Sequence, residues 1–114
     1  MAYVMDRVDD GGIITMYSET LEDAEYIASI EERWNYESAI INCRYFISDF
    51  TPVTKVNITT DALRKSAEIS IEAAKLNNHI VGIAVLPTDL EYGLARMWQV
   101  YAETIGWKTY RPKV

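Results

Sequence analysis

Few side chains in this sequence have the chemistry of a catalyst. His79 is the only histidine and Cys43 the only cysteine among 114 residues. His79 follows two asparagines at the predicted start of a strand, which favours an edge or capping role over catalysis. Cys43 lies in an apolar run with no base nearby to ionise its thiol, so we interpret it as a small buried hydrophobe. One histidine and one cysteine, far apart in the sequence, are too few for a zinc site.

Other catalytic patterns are missing as well. The sequence contains no glycine-rich phosphate loop, no dinucleotide-binding fingerprint and no serine in a nucleophile elbow. Adjacent acids such as Glu22–Asp23 and Glu31–Glu32 project about 100° apart on a helix, so they do not converge on one substrate. We therefore predict a protein that is not an enzyme and that uses neither a metal nor a cofactor.

A hydroxyl-rich stretch between a predicted strand and a predicted helix is the first candidate binding segment. Its candidate partner-binding residues are Thr51, Thr54, Asn57, Thr59 and Thr60. Loops that follow parallel strands at their carboxyl ends are where α/β folds bind ligands and partners. The alternative is a plain turn with helix caps.

The second candidate segment is residues 92–98, which include Tyr92, Gly93, Arg96 and Trp98. Gly93 early in a helix costs about 1 kcal/mol relative to alanine, which indicates a close backbone contact. Arg96 has no acid one turn away, so its side chain either covers apolar surface or lies over the Tyr92 ring. We place Tyr92 and Arg96 among the partner-binding residues. Trp98 lies at the edge of an apolar stripe, and we expect it to be partly exposed, as at an interface.

Apolar periodicity predicts the elements that must position these segments. The predicted strands are residues 2–8, 13–18, 39–50, 79–86 and 107–114, and the predicted helices are residues 21–34, 61–76 and 89–105. The order β-β-α-β-α-β-α-β predicts one α/β domain over residues 1–114, with a mixed sheet flanked by helices and right-handed crossovers.

Capping residues and apolar stripes define the ends and buried faces of the predicted helices more closely. Thr20 and Thr88 begin capping boxes for the first and last helices. We expect Asn77 and Asn78 to end the second helix, because asparagine tolerates the left-handed conformation common at helix ends, and Gly106 to end the last one. In the first helix the apolar stripe is predicted to run through Leu21, Ala24, Ile27, Ala28 and Trp34.

Composition narrows the class of partner. A net charge of −6 and a pI of about 4.7 disfavour nucleic acid, because phosphate binding needs clustered Lys and Arg. The sequence holds no apolar run of the roughly 18 residues that predicts a membrane span. Its start lacks the features of a signal peptide, and a single cysteine fits a reducing compartment. We expect a cytoplasmic protein.

Two segments together resemble STAS domains, the SpoIIAA-like fold of anti-sigma-factor antagonists and sulfate transporters. Residues 49–57, Asp-Phe-Thr-x-Val-x-x-Val-Asn, resemble the Asp-Leu-Ser-x-Val-x-x-Ile-Asp-Ser-Ser motif of that family. Residues 83–97 are similar to a segment of small bacterial STAS-like proteins of uncharacterised function. The predicted order of elements agrees over nearly the whole chain.

The resemblance implies a regulatory protein-interaction role without catalysis. The antagonists are switched by phosphorylation of the serine that follows the second aspartate of the motif. In this sequence Asn57 stands for that aspartate, and Ile58 takes the position of the serine. The adjacent hydroxyl groups of Thr59 and Thr60 are therefore the candidate phosphoacceptors.

We expect the partner to be another protein or a second copy of the chain. Relatives usually continue into a last helix, whereas this sequence ends at Val114, so we expect apolar surface near the last strand. A homodimer would cover that surface around Trp98 or the N-terminal hairpin. The alternative is a small apolar ligand or lipid, because a related fold in lipid-transfer proteins holds such ligands between sheet and helices. An enzyme that uses acids unrecognisable from sequence is the third hypothesis.

Overall fold

The structure is a mixed β-sheet with helices packed on it. The computed structural model describes residues 3–86, 96, 98–100, 102–104 and 106–110. Its strands are β1 (Tyr3–Arg7), β2 (Gly12–Tyr17), β3 (Glu19–Glu22), β4 (Tyr45–Asp49), β5 (Val53–Asn57), β6 (Val81–Val85) and β7 (Lys108–Tyr110). Its helices are α1 (Asp23–Arg33), α2 (Glu37–Ile41) and α3 (Thr60–Leu76). The described residues 96, 98–100 and 102–104, between β6 and β7, are also helical.

Five strands form the main sheet, in the order β1-β2-β4-β6-β7. β1 is antiparallel to β2, and the other neighbours are parallel, which confirms the predicted mixed sheet. The register places Thr15 beside Ser48 and Phe46 beside Gly82. β3 and β5 pair with each other in a separate two-stranded parallel sheet, which the sequence did not predict.

The two faces of the main sheet differ in burial. On β2, Ile13, Thr15 and Tyr17 are buried on the face that the helices cover. Val4 and Met16 lie side by side on the opposite face of the β1–β2 hairpin, where they are 65% and 48% exposed. The core therefore lies between the sheet and the helices.

The first helix differs from its prediction in its start and in its buried face. Residues Glu19–Glu22 form β3, so Thr20 does not cap the helix. The N-cap residue is Glu22, whose side chain makes no capping hydrogen bond. The predicted stripe is wrong at Ala24 and Ala28, which are exposed, and right at Leu21 and Trp34, which are buried. The buried residues of α1 are Tyr26, Ser29, Ile30 and Arg33. Tyr26 and Ile30 bury far more apolar surface than two alanines, and this decides which face packs on the sheet.

The predicted strand 39–50 is wrong in its first half, and the predicted loop 51–59 contains a strand. Residues Glu37–Ile41 are helical, and the strand begins only at Tyr45. A short apolar run is compatible with either a strand or a helix, so its periodicity does not decide between them.

The Asn77 side chain supplies the contact that favours a helical turn in α2. Its amide nitrogen donates to the carbonyl oxygens of Ile40 at 3.0 Å, Ile41 at 3.3 Å and Cys43 at 2.9 Å. These bonds satisfy the carbonyls of Ile41 and Cys43 at the end of the short helix, whereas the Ile40 carbonyl also accepts from the backbone N–H of Cys43 at 3.2 Å. Asn77 itself has an extended backbone, with φ −155°, so the predicted left-handed conformation is wrong.

The third helix confirms its prediction to within one residue. It spans Thr60–Leu76, and Thr59 is its N-cap residue. The Thr59 hydroxyl oxygen accepts a hydrogen bond from the backbone N–H of Ala62 at 3.1 Å. An N-cap hydroxyl of this kind satisfies one of the free N–H groups of the first turn.

The helical residues before β7 end at Gly106, as predicted. Gly106 has a φ of +98°, and its N–H donates to the carbonyl of Glu103 at 3.1 Å. The N–H of Trp107 donates to the carbonyl of Ala102 at 3.2 Å, which completes a Schellman motif. The predicted cap at Thr88 lies outside the described residues. No helix in the described part of the chain is long and apolar enough to cross a bilayer.

Trp98 is buried, which corrects the prediction that it is partly exposed. It is 9% exposed, and its ring meets Phe46 edge-on at a centroid distance of 5.6 Å. Gly82 makes this approach possible, since a Cβ there would lie 2.6 Å from Phe46 and 3.2 Å from Trp98. Trp34 and Trp107 pack against the same phenylalanine, at 5.7 and 5.8 Å. Four aromatic rings thus fill this part of the core, and Trp98 is not available to a second subunit.

Candidate functional site

The hydroxyl-rich segment forms an exposed rim along β5 and the start of α3. The rim consists of Thr51, Thr54, Asn57, Thr59 and Thr60, all of them exposed. Of the other two predicted partner-binding residues, Arg96 is an exposed helical residue and Tyr92 lies outside the described residues. No hydrogen bond among the described residues joins Arg96 to the rim. The first candidate segment therefore presents its five polar residues exposed along one continuous stretch of the chain.

Side chains at both ends of β5 hold the rim in place. At its start, the N–H and hydroxyl of Thr51 both donate to Asp49 Oδ1, at 2.9 and 2.8 Å, in an Asx turn. At its end, Asn57 lies opposite Glu22 of β3. The rim is thus a turn followed by a paired strand, and not a loose loop.

Asp23, the first residue of α1, binds the last part of the rim. Its carboxylate accepts hydrogen bonds from the backbone N–H and the hydroxyl of Thr59, each at 2.7 Å. The Thr59 hydroxyl also caps α3, so its one proton and one of its lone pairs are in use. The hydroxyl of Thr60 makes no hydrogen bond to a described residue. Of the two candidate phosphoacceptors, Thr59 therefore has a hydroxyl group engaged in hydrogen bonds, whereas the hydroxyl group of Thr60 is not bonded to a described residue.

A cavity lies beneath the rim, between the sheet and the helices. Its space for water-sized molecules is about 40 Å³. Its apolar walls include Phe50, Val56, Ile58, Leu63, Leu86 and Trp98. Phe50, Val56 and Ile58 are half-buried, whereas the other three are buried, so the cavity extends inward from the rim. The cavity is at the carboxyl ends of β4 and β6, the edge where parallel sheets bind ligands.

The inner end of this cavity is polar and contains Arg33. Arg33 is 1% exposed, and its Nη2 donates to Ser48 Oγ at 3.1 Å, Thr15 Oγ1 at 3.4 Å and the Tyr17 hydroxyl at 3.5 Å. Its Nε is buried without a hydrogen-bond partner. The guanidinium carbon lies 4.4 Å from the centre of the Phe46 ring, a cation–π distance. Within the described ranges, no carboxylate lies within 4.0 Å of this charge.

The hydroxyl groups around Arg33 are linked to one another and uncharged. The Ser29 hydroxyl donates to the carbonyl of Tyr26 at 2.6 Å, so at the 2.6 Å contact between them Tyr17 is the donor and Ser29 the acceptor. Burial raises the pKa of the Tyr26 phenol far above its usual value, so it stays neutral. None of these groups supplies a negative charge to Arg33.

Cys43 and His79, the only cysteine and the only histidine of the sequence, have structural roles. Cys43 is buried, and its thiol donates to the carbonyl of Tyr45 at 3.4 Å. Burial raises the pKa of this thiol to about 11, so it is protonated at neutral pH and is a poor nucleophile. His79 is exposed, and its backbone N–H donates to Asn77 Oδ1 at 3.0 Å. Among the residues that the structure describes, no cluster of His, Cys, Asp or Glu is placed to bind a metal.

Sequence reasoning missed the cavity and Arg33. A signal was present, because Tyr26, Ile30 and Arg33 recur at helical spacing and define the true buried face of α1. The predicted stripe used Ala24 and Ala28 instead and did not include Arg33. Only the positions of Thr15 and Ser48 on neighbouring strands show that the Arg33 side chain is surrounded by polar groups.

No protein-family model and no curated protein matches the sequence. Among solved structures, the chain is similar to the one described as the structure of the anti-sigma factor antagonist SpoIIAA in its unphosphorylated form. The TM-score is 0.64 and the sequence identity 9%, over 99% of this chain and 89% of the other. At that identity the likeness establishes the fold, and it confirms the STAS-type, SpoIIAA-like architecture that the motifs implied.

Proposed function

We propose that this chain is a non-enzymatic regulatory module that binds another protein through the rim. The observation that supports this best is the exposure of five polar side chains on a braced strand and helix start. The fold is also that of an anti-sigma factor antagonist. A preorganised polar surface binds with less loss of conformational entropy than a flexible loop does.

The backbone of β5 offers a further means of binding. In the described part of the chain β5 pairs only with β3, so its other edge carries backbone N–H and C=O groups for a partner strand. Addition of a strand to such an edge is a common mode of peptide recognition. Thr54 and Asn57 would then give the surface its specificity.

A charge substitution on the rim tests this proposal. We expect the double variant Thr54→Arg/Asn57→Arg to lose a defined set of proteins that the natural chain retains from a cell extract, quantified by mass spectrometry. Glu68→Arg, on the exposed side of α3, is the matched control and should retain the full set. Equal retention by all three chains would exclude the rim as the binding surface.

We place the regulatory phosphate on Thr60 rather than on Thr59. A phosphate on Thr59 would remove the hydroxyl that donates a hydrogen bond to Asp23 at 2.7 Å. It would also place the negative phosphate beside the negative carboxylate of Asp23. The hydroxyl of Thr60 is exposed at the first residue of α3, where the helix dipole favours a negative group.

Phosphopeptide mapping after incubation with cell extract and ATP tests this assignment. We expect phosphate on Thr60, its loss in Thr60→Ala, and its retention in Thr59→Ser, which keeps the cap. A chain that acquires no phosphate on either residue would leave constitutive binding as the simpler model.

We also propose a homodimer that forms through the N-terminal hairpin. β1 is an edge strand of the sheet, and the adjacent side chains of Val4 and Met16 are exposed. Sedimentation equilibrium should give a dimer for the natural chain and for the control Val100→Lys, and a monomer for Val4→Lys. A single species of 13.0 kDa at all concentrations of the natural chain would contradict the dimer.

A further inference from the structure

A buried positive charge has no counter-ion among the described residues. Arg33 is 1% exposed, its Nε has no hydrogen-bond partner, and the groups that Nη2 reaches are neutral hydroxyls. Only the bond to Ser48, at 3.1 Å, is within the usual length range; those to Thr15 and Tyr17 are 3.4 and 3.5 Å. The hydrogen-bonding capacity of this guanidinium is therefore largely unused.

Such an arrangement is unfavourable unless something completes it. A charge removed from water needs an opposite charge and a full set of hydrogen bonds to offset the loss of hydration. The Phe46 ring, 4.4 Å from the guanidinium carbon, compensates only in part. Ser48 accepts from Arg33 and retains its own hydroxyl proton, so a second donor is available beside the charge.

Arg33 borders the cavity beneath the rim, whose walls are otherwise apolar except at Ser48 and Tyr26. The cavity extends from the half-buried Phe50 and Val56 to Arg33 and Ser48 at its inner end. The space for water-sized molecules in the cavity is about 40 Å³, against roughly 300 to 1,000 Å³ for sites of drug-sized ligands. Only a small ligand therefore fits, and a longer apolar chain must extend outward between the half-buried Phe50 and Val56.

We propose that the cavity binds a small apolar monocarboxylate whose carboxylate pairs with Arg33. The fork of a guanidinium matches the two oxygens of a carboxylate, and the Ser48 hydroxyl can donate to one of them. The walls formed by Leu63, Leu86 and Trp98 hold the apolar body. A ligand with a second negative charge does not fit, since the cavity contains one cation. This site lies beneath the rim and does not depend on the protein-binding role proposed for it.

Octanoate and 1-octanol form the matched pair of probes, because they share the apolar chain and differ in the charged head. We expect octanoate to bind in isothermal titration calorimetry at pH 7.5, to raise the thermal midpoint, and to change the fluorescence of Trp98. We expect 1-octanol to bind at least tenfold more weakly, since it cannot pair with a guanidinium. Absence of octanoate binding, or equal binding of both probes, would overturn the proposal.

Two variants of the site locate the binding. Arg33→Met should weaken octanoate binding at least tenfold and leave 1-octanol unaffected. Its control is Arg64→Met, at an exposed arginine that contacts Asp61, which should bind octanoate as the natural chain does. Ala84→Leu keeps Arg33 and fills the cavity, so it should abolish the binding of both probes. Unchanged octanoate binding in either Arg33→Met or Ala84→Leu would place the ligand elsewhere and overturn the assignment.

Discussion

The two ends of the parallel strands are built differently. At the amino ends, Trp34 and Trp107 pack 5.5 Å apart in an aromatic core. Towards the carboxyl ends, Thr15 and Ser48 stand side by side and meet the buried Arg33. One end is filled with apolar rings, whereas the other holds polar side chains and a cavity.

This difference separates the part of the core that stabilises the fold from the part that is available for binding. Apolar rings gain free energy from burial, but buried hydroxyls and a guanidinium only recover what they lose by leaving water. Parallel α/β sheets bind their ligands at the carboxyl ends of the strands. The expected effects of substitution therefore differ between the two ends, and the following experiments test that difference.

The largest effect is expected from Trp107→Ala, at the amino ends. Trp107 is 1% exposed, and its indole N–H donates to the carbonyl of Asn77 at 3.0 Å. The variant should lose about 3–5 kcal/mol in the free energy of unfolding, measured with urea. Tyr110→Ala, at an exposed position of β7, should change it by less than about 0.5 kcal/mol. A loss below about 1 kcal/mol in Trp107→Ala would contradict the assignment of stability to this end.

Asn77→Ala should destabilise the same end by about 1–3 kcal/mol. The substitution removes the three hydrogen bonds to the carbonyls of α2 and of Cys43, and it leaves the carbonyls of Ile41 and Cys43 without a described partner. Asn78→Ala, at an exposed turn position, is the control and should leave the unfolding midpoint unchanged. If both variants unfold alike, the asparagine amide does not hold α2.

The pH dependence of the free energy of unfolding should also reveal that the thiol of Cys43 is buried. Burial raises the pKa of its thiol from 9.0 to about 11, so the folded chain binds this proton more tightly than the unfolded chain. The stabilisation is therefore complete below pH 9 and is lost as the pH rises towards 11. Under reducing conditions, the free energy of unfolding of the natural chain should fall more steeply over this interval than that of Cys43→Ala. Parallel curves for the two chains would show that the thiol has its ordinary pKa.

At the carboxyl ends, Thr59→Ala should cost about 1 kcal/mol. The variant loses the cap on α3 and the hydrogen bond from its hydroxyl to Asp23. Thr59→Ser retains both and should unfold at nearly the natural urea concentration. A larger loss than in Asn77→Ala would reverse the ranking of the two ends.

The smallest effect on stability is expected from Arg33→Met, even though Arg33 is as buried as Trp107. Methionine fills a similar volume and removes a charge that no described carboxylate compensates. The free energy of unfolding should change by less than about 1 kcal/mol, or should increase. A loss comparable to that of Trp107→Ala would show that Arg33 holds the fold together and that the two ends do not differ in this respect.

Local patterns in the sequence determined much of this fold. The five strands of the main sheet, the span of α3 and the end of the last helix at Gly106 follow from apolar periodicity and from glycine. The resemblance of residues 49–57 to the STAS motif implied the SpoIIAA-like architecture that the structural comparison confirms. These features depend on neighbours within a few residues, which a sequence displays directly. The exposed rim was predicted as a binding segment for the same reason.

Only the tertiary structure decided the rest, because it depended on residues far apart in the chain. The Asn77 amide favours a helical turn in α2 from 36 or 37 positions away, and β3 and β5 are strands because they pair with each other. The buried face of α1 was settled by what Tyr26 and Arg33 meet on the sheet. Differences in helix propensity amount to tenths of a kcal/mol per residue, whereas such hydrogen bonds and burial contribute about 1 kcal/mol or more each. Long-range contacts therefore prevailed wherever the two disagreed.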